Sequence, residues 1–70
     1  MRQFKGGEWI RVNDPKNFYD GKMAQISEVW EKTESLYVHH GNVWFSLKYN
    51  EAIKEGEKGY HAYVIMKRIK

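Results

Sequence analysis

Seventy residues without cysteine allow one small domain that no disulfide supports, so its core must come from a composition that is 41% hydrophobic and 16% aromatic. The formal charge is +3: residues 1–35 carry six basic and six acidic side chains, residues 36–70 six basic against three acidic, with Lys67, Arg68 and Lys70 at the end. A balance of this size suits phosphate binding and equally suits many ordinary domains, so it excludes neither nucleic acid nor protein as partner. No Cys/His spacing would hold a structural zinc, and there is neither a charged-then-apolar leader nor an apolar run near about 18 residues. The expectation is a complete, soluble, cytoplasmic protein with no membrane association.

Apolar residues alternate with period two and no segment sustains a 3.6-residue pattern, which predicts an all-β chain of five strands. The first, about residues 8–13, turns Ile10 and Val12 inward and Trp9 and Arg11 outward. Asp14-Pro15 breaks it, because proline has no N–H for a ladder and presets a turn. A polar loop follows to Gly21, with Phe18 and Tyr19 as anchors that fold it back. The second strand, about 22–31, carries Ala24 and Ile26 on one face and Val29 one position out of phase, so a bulge near Ser27-Glu28 is expected.

Leu36, Val38 and His40 alternate through a third strand, Gly41-Asn42 makes a tight turn, and Val43, Phe45, Leu47 and Tyr49 alternate through a fourth. Residues 50–54 read as one helical turn or a strand extension, and 55–59 as a loop. A last strand over about 60–69 is expected to close the sheet, with Ala62, Val64 and Met66 inward.

The order Ile10-Arg11-Val12, polar loop, Gly21-Lys22-Met23-Ala24-Gln25-Ile26 and Val29 resembles the KOW motif, with Ala24 where a second glycine is common. That motif is shared by some ribosomal proteins and by transcription elongation and antitermination factors. The resemblance covers residues 10–29 and implies a single SH3-like β-barrel over residues 1–70, with nucleic-acid binding in transcription or translation. An OB-type barrel also has five strands at this length and is the alternative fold. Gly21 and the short 41–42 hairpin favour the SH3-like choice.

Catalysis has little to stand on. The chain lacks a cysteine nucleophile, a Gly-x-Ser-x-Gly elbow and a glycine-rich phosphate loop, so a non-enzymatic module without cofactor or metal is expected. His39 and His40 are neighbours on a strand and point to opposite faces, His61 stands elsewhere, and Glu28, Glu31 and Glu34 read as a solvated acidic edge.

If Ile10, Val12, Leu36, Val38, Val43, Phe45 and Leu47 fill the interior, the opposite parity exposes Trp9, Tyr37, His39, Trp44 and Tyr63, interleaved with Arg11, Lys48 and Lys67. Rings that stack bases beside cations that hold phosphates describe a nucleic-acid surface, on which Arg11, Lys22, Lys48 and Lys67 contact the backbone and Trp9 and Trp44 stack. The same residue types mark protein hot spots, so the alternative is a small regulator or inhibitor of a larger protein machine, of the kind phages and mobile elements encode. A methyl-lysine cage from Trp9, Tyr19 and Trp30 requires the first loop to fold over.

Overall fold

The computed structural model describes residues 3–57 and residue 60. Among them are five strands: β1 (Trp9–Val12), β2 (Met23–Trp30), β3 (Ser35–His40), β4 (Val43–Lys48) and β5 (Ala52–Lys54). Single 3-10 turns at Glu31–Thr33 and Tyr49–Glu51 join β2 to β3 and β4 to β5. The strands form one antiparallel sheet in the order β4-β3-β2-β1-β5. Four consecutive strands meander and the fifth returns to the free side of the first, which is the SH3-like arrangement.

Local chemistry sets each junction. Gly41 has φ +61 at the first central position of the two-residue 41–42 turn, as a type II′ hairpin requires, and His40 faces Val43 across it. Gly21, at φ +83, ends the long loop; its N–H donates to Val12 O at 2.8 Å while Val12 N–H donates to Lys22 O at 2.9 Å. Between them the loop holds itself together through side-chain acceptors. Asp20 accepts from Asp14 N–H at 2.8 Å, Asp14 from Lys16 N–H at 3.1 Å, and Asn17 from Tyr19 N–H at 2.7 Å. The expected bulge is Ser27, since Ile26 opposes Val38 whereas Glu28 opposes Tyr37.

The core is Phe4, Ile10, Val12, Ala24, Ile26, Leu36, Val38, Leu47 and Ala52, with Val29, Phe45 and Tyr49 packed at its margin. The structure departs from the sequence reading at residues 52–54, at Phe4 and at Val43. Residues 52–54 pair with β1, Val12 opposite Ala52, so this short segment is the fifth strand of the sheet. The strand expected over 60–69 lies, apart from Tyr60, outside the described residues. Phe4 closes the bottom of the core against Tyr49, ring centroids 4.8 Å apart, from a segment that no periodicity singles out. Val43, inward by the parity of its strand, is instead 40% exposed, because it stands at the turn end of edge strand β4.

Burial separates two aliphatic positions of the same hairpin. Leu36 is fully buried, so Leu36→Ala is expected to cost about 2–5 kcal/mol, whereas Val43→Ala should stay within about 0.5 kcal/mol. Urea unfolding followed by tryptophan fluorescence measures both; equal losses would contradict the assigned core.

Candidate binding face

Antiparallel register stacks the outer-face residues of neighbouring strands into rows. Trp9 opposes Gln25, Gln25 opposes His39 and His39 opposes Trp44; the next row is Glu28, Tyr37 and Ser46, and the last is Trp30, Ser35 and Lys48. Large rings reach diagonally between rows. Trp30 on β2 stacks on Tyr37 on β3, centroids 5.7 Å apart and planes 14° apart, and Tyr37 stacks on Trp44 on β4 at 5.6 Å and 28°. His39 lies against Trp44 at 4.6 Å. Four rings thus cross three strands as one ladder.

The ladder is anchored at one end and open at both. Trp30 Nε1 donates to Glu28 Oε1 at 2.9 Å, which fixes the indole plane and occupies its single donor. Trp30 and Trp44 remain 42% and 49% exposed, while Tyr37 between them is half-buried. Each offset-stacked pair is worth about 0.5–1.5 kcal/mol beyond area burial, so the rings hold one another in place before any ligand arrives. Chemically the face offers flat π surface, the Tyr37 hydroxyl, the His39 imidazole and the exposed Lys48 ammonium beside it.

A second aromatic group occupies the opposite face. Tyr19, from the 13–22 loop, stacks on Phe45 at 5.3 Å and 12°, touches His40 at 5.1 Å, and carries Phe18 edge-on at 5.0 Å. His40 Nδ1 lies 2.7 Å from Met23 O and His39 Nδ1 3.4 Å from Gly41 O, so the two imidazoles sit on opposite faces with separate partners. The cage of Trp9, Tyr19 and Trp30 does not assemble: Tyr19 is spent on the inner face and Trp30 on Tyr37. Among the described residues no three His, Cys, Asp or Glu side chains gather as a metal site.

The expected site residues therefore divide. Tyr37, Trp44 and Lys48 share the ladder face. Trp9 is exposed on the same face, in the row of His39 and Trp44 but separated from His39 by Gln25, and it lines a shallow hollow with Gly7, Glu8, Lys54 and Glu55. Lys22 is exposed at the opposite end of β2 from Trp30, about 25 Å away along the strand. Tyr63 and Lys67 lie outside the described residues. Arg11 is half-buried and acts as a clamp, with Nη1 donating to Gly21 O at 2.6 Å and Nε to Tyr60 O, which ties the end of the long loop to the chain beyond β5.

Trp30 is the ladder residue that parity alone assigns poorly. Its signal was the bulge: once Ser27 is skipped, Val29 turns inward and Glu28 and Trp30 turn outward beside Tyr37.

No family model, curated protein or solved structure matches the chain. Among the described residues no helix is long and apolar enough to cross a membrane.

The clamp geometry makes Arg11 a stability residue. Replacing it with Gln is expected to lower unfolding free energy by about 1–3 kcal/mol, the range for losing charge-assisted bonds to part-buried carbonyls. It should leave the salt dependence of ligand binding unchanged. A stable variant with altered salt dependence would return Arg11 to the binding surface.

Proposed function

We propose that this chain is a non-enzymatic binding module that takes single-stranded nucleic acid across the Trp30–Tyr37–Trp44 ladder, in the service of transcription or translation. The observation that carries this reading is the ladder itself. Three stacked rings with two exposed indole ends are a sequence-tolerant platform for bases, each stacked base being worth about 1–3 kcal/mol. Lys48 flanks the platform on the same face. The KOW resemblance over residues 10–29 points the same way.

Charge placement refines it. The described residues hold all nine acidic side chains and seven of the twelve basic ones, a balance of −2; Arg2, Lys58, Lys67, Arg68 and Lys70 lie outside them and contribute +5. Phosphate attraction in this reading therefore comes from Lys48 and from the basic chain end, with Lys67 in it, while the barrel contributes stacking. Arg11 leaves the set of phosphate contacts.

A second reading has its own observation. Glu28 sits against Trp30, and Glu31 and Glu34 flank Lys32 in the adjoining turn, so acidic side chains outnumber basic ones at this end of the ladder even with Lys48 counted. That suits a basic or proline-rich segment of a protein partner better than it suits a phosphate.

Salt dependence tells the two apart. Fluorescence anisotropy with single-stranded DNA and RNA oligonucleotides is expected to show binding that weakens with salt, with a log–log slope of about −0.7 per phosphate contacted. Trp44→Ala should weaken affinity about 5- to 150-fold with little change in slope, and Lys48→Gln should reduce the slope by about one contact. Absence of salt-sensitive oligonucleotide binding, with a protein partner lost on Trp44→Ala, would replace this reading with the second.

A further inference from the structure

We propose that two copies of this chain join their β4 strands edge to edge, antiparallel about a two-fold axis at Phe45, into one continuous sheet. The inference concerns the backbone edge of β4, where Trp44 also ends the ladder, and does not depend on what the ladder binds.

The backbone comes first. A two-residue hairpin closes on a hydrogen-bonded pair, here His40 and Val43, so in the 35–48 ladder the odd residues of β4 turn their N–H and C=O groups toward β3. The even residues, Trp44, Ser46 and Lys48, turn theirs away. Two contacts agree with this phase: Tyr49 N–H donates to Glu34 O at 2.8 Å on the β3 side, and Lys48 N–H donates to the Glu51 carboxylate at 2.8 Å on the far side.

Glu51 thus stops the open edge at Lys48. Among the described residues β4 has no neighbour beyond it, and none of them partners the two N–H and two C=O groups of Trp44 and Ser46. Such a row is a template for another strand, and β4 carries neither proline nor an inward charge to discourage one.

The side chains select a second copy and a register. An antiparallel partner must oppose residues of the same face, and the two open residues satisfy each other only when Trp44 faces Ser46 of the other copy and Ser46 faces its Trp44. Phe45 then faces its own equivalent, and Val43 faces Leu47. Lys48 of each copy falls opposite Asn42 of the other, so no like charges meet.

At this edge apolar surface stays exposed at two places: Phe18 is 88% exposed and reaches Phe45 through Tyr19, and Val43, on the same face of β4, is 40% exposed. Edge pairing lays the other copy's half-buried Phe45 alongside Phe45 and brings Val43 against the strand position of Leu47. Open backbone and exposed apolar surface therefore coincide on one strip, and that strip is complementary to itself.

Sedimentation equilibrium and light scattering of the full chain over a wide concentration range should show a reversible dimer of twice the 8.4 kDa chain mass. Ser46→Pro removes an N–H that β3 does not use and should weaken self-association about tenfold or more while far-UV circular dichroism keeps the β spectrum. Val43→Lys places a charge on the apolar strip and should do the same without touching the backbone; it decides the matter if the proline variant fails to fold.

The absence of native cysteine permits a register test. An oxidised mixture of Trp44→Cys and Ser46→Cys chains should cross-link to each other and much less to themselves, since opposed hydrogen-bonded positions lie about 5.5 Å apart between Cα atoms. A chain that stays monomeric, a dimer indifferent to both blocking variants, or a dimer in which the mixed pair does not cross-link would overturn the proposal.

Discussion

Ser27 has no partner on β3, and the outer surface of the sheet depends on that single unpaired position. Before it, Ala24 and Ile26 point inward; after it the inward residue is Val29, so Glu28 and Trp30 change sides relative to an unbroken alternation. A strand without the bulge would place Trp30 over the core side and Val29 in solvent. The same extra residue increases local twist and bends β2, which lets one strand pair with β1 through Met23–Gln25 and with β3 through its whole remaining length. Barrel curvature and the aromatic ladder thus have one cause.

A second constraint is scarcity. Among the described residues nine make the core cluster, and a chain this short buries only about 60% of the surface it exposes when unfolded. The remaining order comes from contacts outside the core. Arg11 ties Gly21 to Tyr60, Lys54 Nζ donates to Gln3 O and lies 5.2 Å from the Phe4 ring centroid, and Tyr19 fastens the long loop to Phe45. Aromatic residues on both faces of the sheet therefore have structural work to do. What distinguishes the outer set is that both of its ends stay open to solvent, whereas Tyr19 closes over Phe45.

Much of this was legible in the sequence. Alternation in 36–47, Gly41-Asn42 and the phase break between Ile26 and Val29 located the β3–β4 hairpin and the bulge, because those signals are local and each has one structural solution. The fifth strand was not legible in the same way. Ala52-Ile53-Lys54 is three residues long, too short to show a period, and its pairing with β1 is fixed by the 3-10 turn at Tyr49–Glu51 and by Asn13 N–H donating to Glu51 O at 2.8 Å. Phe4 escaped for a similar reason, as a lone aromatic in a polar segment gains its place only from Tyr49 and Lys54. For the candidate site, parity identified Tyr37, Trp44 and Lys48 as outward. It could not reveal that Arg11, outward by parity, finds two backbone carbonyls within reach.

The withdrawal of Arg11 changes what kind of surface this is. A face whose cations were interleaved with its rings would hold bases and phosphates at one place, and affinity would stand or fall with that patch. Here the rings sit on a barrel whose described charge is −2, with Glu28 against Trp30, while five cations belong to residues outside the described ones. Stacking is short-ranged and indifferent to salt; phosphate attraction acts over a Debye length of about 8 Å near physiological ionic strength and is screened beyond it. Lys48 stands in the row of Trp30 and Ser35, at the same end of the sheet as the Glu31–Thr33 turn, so on this face its attraction for a phosphate and the repulsion from Glu28, Glu31 and Glu34 act at one place and oppose each other. In the proposed reading the rings therefore carry the contact on this face, and the long-range attraction has to come chiefly from the cations outside the described residues.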